Sequence, residues 1–146
     1  MAITFDASKY FTGNTNPVTT TFTCGNNAKL LVLDIGFEGV AGGGGRQGGV
    51  PSYGGQLFYN VNVSSGTLGE CKVEMFAIEN PSTGSAYTVS IPNVSVGNIL
   101  NSHLSSYNAS SGYNITLDTS INRTLPTFAS NNASLNISPS VVGELS

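Results

Sequence analysis

The chain has 146 residues, of which 39% are hydrophobic and only 9% charged, with a formal net charge of −3. That length suits one hydrophobic core, and because an ordinary soluble domain carries roughly 25% charged residues, the polar surface here must come from Ser, Thr, Asn and Gly. Eight acids and five bases can neither clothe the outer faces of a helical bundle nor supply the clustered Lys and Arg that grip a phosphate backbone, which argues against nucleic acid as a partner.

The start, Met1-Ala2-Ile3-Thr4-Phe5-Asp6, lacks the basic and long apolar stretches of a secretory leader. The expectation is a protein made and used without export, or one whose leader was removed from this numbering. No apolar run reaches transmembrane length, so no membrane insertion is expected. Short apolar bursts separated by Gly, Asn, Pro and Ser then follow at intervals of about 8 to 15 residues, the spacing of an antiparallel sandwich or barrel. Strands are predicted over 2–5 and 18–24, the second with Val18, Thr20 and Phe22 on one face. The strongest covers 30–38, where Leu31, Leu33, Ile35 and Phe37 alternate with Val32, Asp34 and Glu38, the period of a half-buried strand at a central position.

Residues 39–49 contain Gly42, Gly43, Gly44 and Gly45 followed by Arg46, which reads as an exposed loop. A phosphate-binding loop would require a Lys-Ser/Thr pair opening a helix, and Val50-Pro51-Ser52 stands there instead. Further strands are predicted over 56–63, with Leu57, Tyr59, Val61 and Val63 alternating, and over 70–79, apolar on both sides and therefore interior. The turn Asn80-Pro81-Ser82-Thr83-Gly84-Ser85 leads into a strand over 86–91 with Tyr87, Val89 and Ile91 inward. These two strands are expected to form a hairpin. Beyond them, strands are predicted over 99–108, 113–117, 133–137 and 141–145. The whole reads as an all-β fold, an antiparallel β-sandwich, in a single domain over 1–146. Residues 118–146 would be an edge strand or an assembly tail, within which Val141, Val142 and Leu145 are the contact candidates.

Chemistry-bearing residues are sparse. His103 is the only histidine, no Gly-x-Ser-x-Gly elbow accompanies it, and it reads as a strand residue. A nucleophilic Cys24 or Cys71 has no better support. Asp34, Glu38, Glu74 and Glu79 lie on the two strands expected to be interior, and two of them could meet across a sheet at glycosidase-like separation; solvent-facing strand residues are the simpler reading. Asp6 and Asp118 are weak calcium candidates, for no Asp-x-Asp-x-Asp-Gly cluster is present. No catalytic residue, metal or cofactor is expected. Cys24 and Cys71, the only cysteines, either pair, closing a loop of about 48 residues worth roughly 4 kcal/mol, or stay buried and reduced. Seven Asn-x-Ser/Thr sequons stand at Asn62, Asn93, Asn108, Asn114, Asn122, Asn132 and Asn136. They arise readily by chance in so Asn- and Ser-rich a chain, or they mark a glycosylated surface protein. Of six tyrosines, Tyr59 and Tyr87 are assigned to the core, while Tyr10, Tyr53 and Tyr113 flank loops and suit a protein or sugar contact.

Two stretches, Pro51-Ser52-Tyr53-Gly54-Gly55-Gln56 and the run from Glu74 through Asn80-Pro81-Ser82-Thr83-Gly84 to Ile91, with Ser105-Ser106-Tyr107 as a following strand, resemble a jelly-roll-like β-sandwich module found in bacteriophage virion proteins and some bacterial surface proteins. The resemblance covers roughly residues 2–110, rests on turn chemistry, and ends after Asn108. It implies a jelly-roll-type sandwich with a structural or recognition role. The expected function is that of a non-enzymatic virion protein, a capsid decoration or tail-associated subunit. Its partners would be copies of itself and other virion proteins, and it would be made in the host cytoplasm without a leader. The rival expectation is a secreted carbohydrate-binding or adhesive module, extracellular or at the cell surface, or a glycosylated filament subunit exchanging a terminal strand.

Overall fold

A computed structural model describes residues 3–37, 46, 48–64, 72–95, 99–110 and 112–115. Among these are nine strands and no helix: β1 (Ile3–Gly13), β2 (Val18–Phe22), β3 (Ala28–Phe37), β4 (Ser52–Tyr53), β5 (Gln56–Leu57), β6 (Tyr59–Ser64), β7 (Lys72–Glu79), β8 (Tyr87–Ile91) and β9 (Leu100–Ala109). They make two antiparallel sheets, one of five strands in the order β1-β9-β3-β7-β6 and one of four in the order β2-β8-β4-β5. The all-β expectation holds at this level.

Alternation explains why the sheets stack. On β3, Leu31, Leu33 and Ile35 are fully buried while their alternates are half-exposed, since successive side chains of a strand point to opposite faces. Facing them across the core are Val18 and Phe22 of β2, Val89 and Ile91 of β8, and Tyr53 of β4; Phe76, Ile78, Leu100 and Leu104 complete one continuous cluster. Burying each such aliphatic side chain stabilises by about 1.5–3 kcal/mol. As expected, β3 is central, paired with β7 on one side and β9 on the other, and β7 is interior between β3 and β6.

Several expectations fail: the strand predicted over 113–117 is absent across its described residues 113–115, the one predicted over 2–5 runs on to Gly13, and three further differences have clear causes. The predicted hairpin of β7 with β8 does not form: β7 belongs to the five-stranded sheet and β8 to the four-stranded one, paired with β2 and β4. Both ladder sides of β7 are already taken, so the Asn80–Ser85 segment crosses between the sheets. Asn80, at φ 50°, sends its N–H to Lys29 O at 2.9 Å, and the Gly84 N–H reaches Cys24 O at 3.0 Å. The predicted strand over 56–63 is likewise broken. Ser52–Tyr53 and Gln56–Leu57 form a tight hairpin about Gly54 and Gly55, both at positive φ, as a two-residue primed turn demands. The Phe58 N–H closes onto Pro51 O at 3.0 Å, which sends the Phe58 ring into the core, leaves Leu57 exposed and moves the chain to the other sheet. Finally, Tyr87 is half-buried but packs against the core as expected, whereas Tyr59 is half-buried on the outer face and Tyr53 is fully buried. The core tyrosine is the one expected at an interface.

Candidate interaction surfaces

The register of the five-stranded sheet sets its outward side chains in rows across the strands. One row reads Thr12, Asn101, Gly36, Val73; the next Tyr10, His103, Asp34, Met75; the third Ser8, Ser105, Val32, Ala77, Tyr59; and the last Phe5, Tyr107, Leu30, Glu79. The third row is made of smaller residues up to Tyr59 at its β6 end, and in it Ser105 and Ala77 are buried. Phe5 is 60% exposed, Tyr10 64%, Val73 51% and Met75 37%, so half of the large exposed hydrophobics among the described residues gather on this one face. Phe5 packs edge-on to Tyr107, and the Tyr10 hydroxyl donates to Asn101 Oδ1 at 2.7 Å, which fixes both rings.

Charge on this face is scarce and locally matched. The Tyr59 hydroxyl donates to Glu79 Oε1 at 3.1 Å; burial and that carboxylate push the phenol up to about 12. Asp34 stands opposite His103 in the ladder. Burial raises the Asp34 carboxyl above its ordinary value, the His103 charge opposing the shift, and its Oδ1 is buried without a hydrogen-bond partner among the described residues. His103 itself is exposed, with its Nδ1 3.2 Å from Ser105 Oγ.

Arg46, expected in an exposed loop, is instead buried. Its Nε donates to Glu74 Oε2 at 2.6 Å, with the two side chains only 3% and 4% exposed. Its Nη1 donates to the carbonyls of Gly48 and, at 2.6 Å, Gly49, and the guanidinium lies over the Phe76 ring 5.2 Å from its centroid. The glutamate comes from the inner face of β7, so the pair ties the segment at 46–49 to the core. Arg46 and Tyr53 are buried for one reason: each is polar in one part and fills a core position with the rest. The Tyr53 hydroxyl accepts from the Cys24 N–H at 3.3 Å and donates to Ser82 O at 3.1 Å, with Phe22 O at 3.4 Å.

Close to that hydroxyl, Asp6 Oδ2 accepts from the Gly25 N–H at 2.8 Å and from Ser106 Oγ at 2.7 Å. These bonds join β1 and β9 to the segment after β2, and they occupy the carboxylate proposed for calcium. Cys24 is a buried free thiol, which burial pushes up against the opposing hydrogen bonds of Tyr53 and Ser106.

The carboxylates do not converge. Glu74 points inward to Arg46, while Asp34 and Glu79 share the outer face on adjacent strands but four ladder positions apart, about 13 Å by strand rise and beyond the separations of glycosidase pairs. Among the described residues no three of His, Cys, Asp and Glu gather as metal ligands, and no helix is long and apolar enough to cross a membrane. Tyr10 and Tyr113 are exposed. Of the sequons, Asn93 and Asn114 are exposed, Asn108 is half-buried with Oδ1 unpartnered, and Asn62 lies on β6 opposite Met75. Gly42, Gly43, Gly44, Gly45, Glu38, Cys71, Asp118, Asn122, Asn132, Asn136, Val141, Val142 and Leu145 lie outside the described residues. The outer sheet face was missed from sequence, although one signal pointed to it: β7 is apolar on both sides. No family model, curated protein or solved structure matches this chain.

Proposed function

We propose that this protein is a non-enzymatic structural subunit, a jelly-roll-type module that assembles with copies of itself and other proteins of a virion, as a capsid decoration or tail-associated component. The observation that carries the reading is the long first strand: β1 (Ile3–Gly13) lies at the edge of its sheet, paired only with β9 among the described strands. Phe5 and Tyr10 project from it into solvent. An edge of that length offers backbone donors and acceptors to a neighbour, and low charge removes the repulsion that keeps many domains apart. Native mass spectrometry of material from the source tests it, with assemblies of fixed copy number or co-purifying virion proteins expected. Isolated monomers that turn over a substrate would refute it.

A second reading is favoured by one feature. Tyr10 presents an exposed ring held by Asn101, beside His103, in the manner of a sugar-stacking platform on a carbohydrate-binding or adhesive module. Exposed Asn93 and Asn114 would suit glycosylation of such an extracellular protein. Polysaccharide binding abolished by Tyr10→Ala, with glycan mass on the chain, would replace the first reading with this one.

A further inference from the structure

We infer that the outer face of the five-stranded sheet is the contact between two copies of this chain, packed face to face about a two-fold axis running along the strands between β9 and β3. The inference rests on the assembly reading above and names the partner and the surface. Three observations carry it.

The first is extent. The four strands that overlap across this axis, about 4.8 Å apart and about 30 Å long, present a face on the order of 600 Å², at the low end of the roughly 600–1,000 Å² per partner of a stable interface. The second is composition. Phe5, Tyr10, Val73 and Met75 are exposed there, and Glu79 already holds a partner in Tyr59, so covering the face leaves few charges to satisfy.

The third is self-complementarity. A two-fold interface must match residue i with j and j with i. The row Tyr10, His103, Asp34, Met75 occupies β1, β9, β3 and β7 in that order. Reflected about the gap between β9 and β3, His103 of one copy meets Asp34 of the other, and Tyr10 meets Met75. An exposed imidazole then faces a half-buried carboxylate of complementary chemistry, and a thioether faces an aromatic ring, a favourable pairing. In the rows beside it the same rotation sets Thr12 against Val73, Ser105 against Val32 and Tyr107 against Leu30, while Phe5 meets Glu79, whose carboxylate keeps its bond from Tyr59.

Sedimentation velocity of the full chain tests the contact, with Met75→Lys, Tyr10→Glu and, as a control on the other sheet, Leu57→Lys. The wild type and Leu57→Lys should associate alike, each face variant should weaken association at least tenfold, and an equimolar mixture of the two face variants should associate again through its Lys-Glu contact. Restoration on mixing cannot come from misfolding of either variant. If the wild type associates and the face variants match it, or mixing restores nothing, the face is overturned and the assembly reading stands. A wild type that stays monomeric at every concentration overturns the face, and the assembly reading then falls too unless other virion proteins co-purify with the chain. Oxidative labelling of Met75 in the unaltered chain adds a second reading: protection should rise with concentration, and protection independent of dilution would place the cover in the same chain and overturn the inference.

Discussion

Replacing Glu74 with Leu removes the acceptor of a guanidinium that is almost wholly out of water. With the two side chains 3% and 4% exposed and the ions 2.6 Å apart, solvent and salt screen the pair little. The Nη1 bonds to the Gly48 and Gly49 carbonyls and the stacking on Phe76 remain, yet Nε is left in an apolar setting with a full charge. Breaking one side of such a pair costs about 3–5 kcal/mol, a large part of the 5–15 kcal/mol that holds most domains folded. Urea denaturation followed by tyrosine fluorescence, the chain having no Trp, should show the midpoint falling by about 2 M for a slope near 2 kcal/mol/M. The double variant Glu74→Leu with Arg46→Met should recover most of that loss, because no charge remains buried. A single variant within 1 kcal/mol of wild type, or a double variant equal to the sum of the singles, would refute the claim that the pair is desolvated and coupled.

Tyr53→Phe deletes a hydroxyl that accepts from the Cys24 N–H and donates to Ser82 O; a loss of about 1–3 kcal/mol in the same titration is expected. Gly54→Ala should cost more than Gly55→Ala. Both sit at positive φ, about 1–3 kcal/mol of strain for a non-glycine residue, but a Cβ at Gly54 would lie 2.8 Å from Tyr87 Cδ1 while at Gly55 it meets nothing within 4 Å; equal thermal midpoints would contradict this. Asp34 has a raised folded-state value, so the folded chain binds its proton more tightly than the unfolded one. Its ionised form therefore weakens folding as pH rises through that folded value, and the penalty vanishes below the unfolded value of about 3.9. Asp34→Asn should raise the urea midpoint at pH 7 and converge with wild type near pH 3, and a lower midpoint at pH 7 would count against it.

Period-two patterning made β3, β2 and β8 legible, because a strand buried on one face writes its geometry into alternate residues, as Leu31, Leu33 and Ile35 do. Turn chemistry was legible too, but only as reversal: Asn80-Pro81 and Gly84 announce a change of direction and say nothing about which sheet receives the next strand. That gap produced the mistaken β7–β8 hairpin. Tyr53 and Arg46 were misplaced because neighbours in sequence, glycines in both cases, suggest exposure, whereas the partners that bury them, Cys24, Ser82 and Glu74, stand 28 or 29 residues away. The outer face of the five-stranded sheet emerges only from register, which joins Tyr10, His103, Asp34 and Met75 from four separate strands.

The ladder between β1 and β9 runs from Ile3 opposite Ala109 to Gly13 opposite Leu100, and it governs the order in which the chain can fold during synthesis. At about 5–20 residues per second, a ribosome needs on the order of 5–20 s to travel from the end of β1 to the end of β9. For much of that interval β1 waits with its eventual mate not yet translated, and β3 and β7 are both complete before β9 is. On a polysome, a completed β9 from one nascent chain can reach the waiting β1 of the next, so strand exchange between neighbouring chains becomes a kinetic competitor of correct closure.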